Sequence, residues 1–117
     1  IGIVFLVSLL NGCGFPNEQR VSQDFKELFE KEVGKEIRPI VISVGPGEGD
    51  SDNVYEHVKF DLIAEQDVNV QKGWLANMSL KSGQRLSDGE VIMLYQKSMG
   101  SRWKMTQYEL RHVPVKR

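Results

Sequence analysis

Val54-Tyr55-Glu56-His57-Val58-Lys59-Phe60-Asp61-Leu62-Ile63-Ala64 is the stretch whose reading decides the fold. Val58, Phe60, Leu62 and Ala64 fall on one side of an extended chain, with Tyr55, His57, Lys59, Asp61 and Glu65 on the other. Successive strand side chains point to opposite faces, so this spacing predicts a long strand, roughly Val54 to Val68, with one face on a core and one in water. Glu56 interrupts the apolar side near the start, so the first residues are expected to extend beyond the sheet.

Upstream the period changes. Val21, Phe25, Leu28, Phe29 and Val33 form one helical stripe, with Glu18, Asp24, Lys26, Glu27, Glu30, Lys31 and Glu32 on the remaining face. Asn17 suits the N-cap, with Ser22 a later alternative, and Gly34 stands where a helix should end. Ile37 to Val44 is β-branched and predicts a strand; Pro39 within it points to a sheet edge or a bulge. Gly45 to Asn53 is a loop by composition.

Downstream, Gln71-Lys72-Gly73 predicts a turn, and Trp74, Ala76, Met78 and Leu80 alternate as a third strand. Lys81 to Gly89 is expected to be a polar loop. Val91 to Tyr95 predicts a nearly continuous apolar strand, Ser98-Met99-Gly100-Ser101 a hairpin turn, and Arg102 to Val113 the last strand. In that last strand Trp103 and Met105 share one side and Tyr108 and Leu110 the other, which a bulge near Gln107 would reconcile. The expected class is α+β: one N-terminal amphipathic helix packed on a curved antiparallel sheet of about five strands.

The chain has 117 residues, 40% hydrophobic and 26% charged, with formal net charge −1, which fits one small folded domain and supplies no bulk attraction to nucleic acid. Residues 1–10 carry no charge and run into Leu10-Asn11-Gly12-Cys13, where Cys13 is the one cysteine. Ten apolar residues are too few for a bilayer span of roughly 20, and they match the apolar region of an export signal.

Leu10-Asn11-Gly12-Cys13 resembles the lipobox of bacterial lipoproteins, with Leu10 and Gly12 matching well and Asn11 a less usual middle residue. The resemblance implies a cleaved signal at 1–12, acyl chains on Cys13, a lipidated tether at 13–19 and a single domain at 20–117. Several chains anchor stably where one binds marginally. The location implied is the bacterial cell envelope, facing the periplasm or the exterior. No basic region precedes the apolar run and the first residue is Ile, so the expected start lies upstream. An uncleaved anchor and an apolar core element stay open as readings of residues 1–13. The polar run after Gly14-Phe15-Pro16-Asn17 favours export. Over about residues 18–113, the order of elements, closing on a Gly100-Ser101-Arg102-Trp103 hairpin, resembles small lipoproteins of the cystatin-like class, relatives of nuclear transport factor-type domains.

Candidate sites are few. Glu48, Asp50, Asp52 and Asn53 offer hard oxygen ligands but lack the further bidentate acid of a calcium loop, so a solvated loop is expected. Tyr55, His57 and Asp61 share one side of the long strand and would line a pocket if the sheet enclosed one; His57 and His112 lack a third zinc ligand. Arg102, Trp103 and Lys104 lie in a basic C-terminal stretch that could meet acidic headgroups, cell-wall polymers or a protein partner. Trp74 and Trp103 are expected to be core anchors, and Met99 is the one apolar loop tip suited to docking. No Gly-x-Ser-x-Gly elbow or phosphate loop occurs. The expected function is non-enzymatic binding at the envelope, without cofactor, metal or nucleic acid; the alternative is a small pocket-bearing protein or enzyme of the nuclear transport factor type.

Overall fold

The computed structural model describes residues 15–98 and 102–116. The lipobox with Cys13, Met99 and the centre of the hairpin turn lie outside them. Helix α1 spans Glu18–Glu32, so it is the first described element and starts a few residues before the expected domain boundary at 20. Phe15 already packs against the core, which places the start of the folded unit earlier still. The Asn17 carboxamide oxygen accepts from the Arg20 N–H at 2.7 Å and caps the helix. Val21, Phe25, Leu28 and Phe29 are buried, and Gly34 leaves the helix at φ +122°, a region that favours glycine.

Strands follow: β1 (Ile37–Val44), β2 (Glu48–Gly49), β3 (Asn53–Ala64), β4 (Val68–Asn69), β5 (Ser79–Leu80), β6 (Arg85–Ser98), β7 (Arg102–His112) and β8 (Val115–Lys116). The main sheet is the antiparallel meander β1-β3-β6-β7, with β2 added to β3 and β8 to β6; β4 and β5 form a separate ribbon. The α+β class is thus as expected, with six strands in the main sheet. β1 is an edge strand, which accommodates Pro39, and a register shift between Val41 and Ser43 leaves Ile42 exposed. In β7 Met105 pairs with Tyr95 and Gln107 with Leu94, so Thr106 is the bulge that restores the phase of Tyr108 and Leu110.

Three local expectations are overturned. The third strand over Trp74–Leu80 is instead a 3₁₀ turn, Gly73–Leu75, followed by two residues of β5. Gly73 at φ +81° and Asn77 at φ +68° turn the chain too sharply for a strand. A Cβ on Gly73 would run into the Glu32 carbonyl, so the turn packs directly on the end of α1. The expected loop over Lys81–Gly89 is a strand from Arg85, because Leu86 is fully buried opposite Leu62 and Gly89 makes room for the Phe60 ring. Third, Asn53–Tyr55 do not extend beyond the sheet: they pair with Gln96, Tyr95 and Leu94, and Glu56 beside them is buried. The long strand itself ends at Ala64, short of Val68.

The helix side of the sheet is filled. Val54, Val58, Phe60, Leu62 and Ala64 of β3 meet Val91, Met93 and Tyr95 of β6 beneath α1. Phe25, Phe29, Phe60 and half-buried Trp74 stack with centroids 4.8–6.4 Å apart. Trp103 is buried too, so both tryptophans are core anchors. Among the described residues no helix is long and apolar enough to cross a membrane.

Candidate functional site

Alternation along β3, β6 and β7 leaves one face of the sheet without a helix, and its residues form ladders. Nearest the β6–β7 hairpin lies a polar ladder: Gln96 Nε2 donates to Asn53 Oδ1 at 2.8 Å, and the Thr106 hydroxyl donates to Gln96 Oε1 at 2.9 Å. Next come Tyr55, Leu94 and Gln107, then His57, Ile92 and Glu109, each set in register across three strands. Beyond these, Lys59 pairs with Glu90 and Glu90 with His112.

The two middle ladders floor an open recess of about 490 Å³, lined by Glu48, Tyr55, His57, Ile92, Leu94, Gln107, Tyr108, Glu109 and Arg111. Tyr55 is 48% exposed, while Ile92 and Leu94 are half-buried. A solvated face normally shows polar residues at such positions. Here a central strand is apolar on both sides: Val91, Met93 and Tyr95 point to the helix, Ile92 and Leu94 to the open face.

His57 sits between two acids, with Nε2 3.8 Å from Glu48 Oε1 and Nδ1 3.7 Å from Glu90 Oε2. His112 Nε2 lies 3.7 Å from the other Glu90 oxygen. These separations exceed hydrogen-bond length. No set of three His, Cys, Asp or Glu side chains among the described residues is arranged to hold a metal ion.

The residues singled out in the sequence separate in space. Tyr55 and His57 line the recess. Asp61, on the same face, is tied to Arg85 at 2.6 Å and to the Asp88 N–H at 3.4 Å. Partial burial pushes its carboxyl up, yet the Arg85 bonds and charge outweigh this and hold it below the usual carboxylate range. Asp61 therefore serves the strand pairing and not the recess. None of the three reaches an enclosed pocket, because the helix side is occupied by core. Arg102, Trp103 and Lys104 do not form one surface either. Arg102 and Lys104 are exposed, whereas Trp103 turns inward, its ring 5.2 Å from Lys97 Nζ and its carbonyl accepting from Arg20 Nη2 at 2.9 Å. In the acidic loop, Asp50 accepts from the N–H groups of Asp52 and Asn53 at 2.8 and 2.9 Å, which depresses its carboxyl pKa and identifies it as a turn former.

Ile92, Leu94, Gln107 and Glu109 escaped the sequence reading. The signal available was the unbroken apolar run Val91–Tyr95, which reads as a buried strand until its two faces are separated. Comparison with protein-family models, with curated proteins and with solved structures finds no match.

Proposed function

We propose that the chain is a lipid-anchored protein of the bacterial envelope whose folded domain binds a partner through the helix-free face of its sheet, without catalysing a reaction. The observation that carries the binding role is the recess floored by Tyr55, Leu94 and Ile92: an exposed aromatic ring stands beside two half-buried aliphatic side chains on a sheet face that no helix covers. The anchoring rests on the apolar run and lipobox resemblance at Leu10–Cys13, and the short link from Cys13 to Phe15 would keep the domain close to the bilayer. Phe60, Leu62 and Trp103 pack in the core on the helix side of the sheet, which favours surface binding over the pocket-bearing alternative.

Expression of the gene in bacteria fed labelled fatty acid tests the anchor. Wild type is expected to carry label and Cys13→Ser to lose it; an unlabelled wild type would end the lipoprotein reading.

A further inference from the structure

Among the described residues, Glu48 and Glu109, the two acids of the recess lining, form no ion pair with a lysine or arginine. Glu48 is 70% exposed at its side chain and meets only His57, beyond hydrogen-bond distance. Glu109 is exposed at the far wall, and Arg111 is the one permanent cation in the lining. Between these carboxylates the Tyr55 ring lies half open beside Leu94. Carboxylates beside an open aromatic ring favour a cation: the charge pairs with the acids while the ring face attracts it.

We infer that the recess takes a cationic polypeptide segment, with arginine or lysine side chains between Glu48 and Glu109 and neighbouring apolar side chains covering Tyr55 and Leu94. This rests on the binding-surface reading above and names the partner's chemistry. An acidic segment is disfavoured because it would bring carboxylates against carboxylates. A polypeptide suits the shape, since the floor crosses three strands, spaced about 4.8 Å apart, and lies open along its length.

The full-length protein in detergent is titrated into a fluorescent blocked hexapeptide containing two arginines and two leucines. A second peptide has glutamates in place of the arginines. The arginine peptide is expected to bind at least about tenfold more tightly, with affinity falling as salt is raised. Glu48→Gln with Glu109→Gln should weaken it about tenfold, and Tyr55→Ala should weaken both peptides. Glu30→Gln on the helix should change neither. Circular dichroism confirms that each variant is folded. Equal affinity for the two peptides, no binding at millimolar concentration, or insensitivity to the Glu48 and Glu109 changes in folded protein would overturn the inference. The fatty-acid label on Cys13 is read separately, so loss of the anchor and loss of peptide selectivity are distinguishable.

Discussion

Replacing Glu56 by Gln should stabilise the protein at neutral pH and flatten the fall in stability that begins above pH 4.5. Glu56 is the one buried charged residue among those described, at 4% exposure. It lies on the helix side of β3, with its carboxyl group against Gly47, where a Cβ would collide with it. Burial raises its pKa, and the His57 charge opposes this only in part. The sign follows from linkage. Below the unfolded value of 4.5 both states are protonated and the group costs nothing. As pH rises toward the folded value, the unfolded chain releases its proton first, so stability falls; above the folded value the penalty is constant. Each unit of separation between the folded and unfolded values costs about 1.4 kcal/mol. Glu56→Gln removes the charge at constant shape and should raise the Tm at pH 8, where each 1 kcal/mol gained appears as about 4–8 °C for a domain of this size. Thermal melts followed by circular dichroism at pH 5, 6.5 and 8 make the comparison. A variant less stable than wild type at pH 8, with the pH slope unchanged, would refute the reasoning.

Other consequences are more local. Gly89→Ala places a Cβ 2.6 Å from Phe60 Cζ and 2.7 Å from Pro114 Cγ, so it should cost about 1–3 kcal/mol in urea unfolding. Asn17→Ala removes the cap on the Arg20 N–H and should cost about 1 kcal/mol, seen as a lower urea midpoint with an unchanged m-value.

The helix was legible in the sequence to its caps, because a five-residue apolar stripe, an Asn and a Gly all act within one element. β3 was legible for the same reason, and so was the bulge in β7, since the phase conflict between Trp103 and Tyr108 is local. What failed depends on partners far along the chain. Arg85–Gly89 is polar and glycine-bearing, and becomes a strand only because Leu62 and Phe60 across the sheet require Leu86 and the absence of a side chain at Gly89. Trp74 alternates like a strand residue but sits in a tight turn against the end of α1. Tyr55 and His57 could be picked from one strand; Leu94 and Glu109 could not, because β6 and β7 bring them there only through the register of the folded sheet.

Placing a photo-crosslinking residue at Leu94, and in a separate strain at Lys26 on the exposed face of α1, tests most directly whether the helix-free face is the working surface. In intact cells, Leu94 should give one discrete adduct that disappears when Tyr55→Ala is introduced, while Lys26 gives none. Adducts from Lys26 with none from Leu94 would contradict the assignment of the binding face.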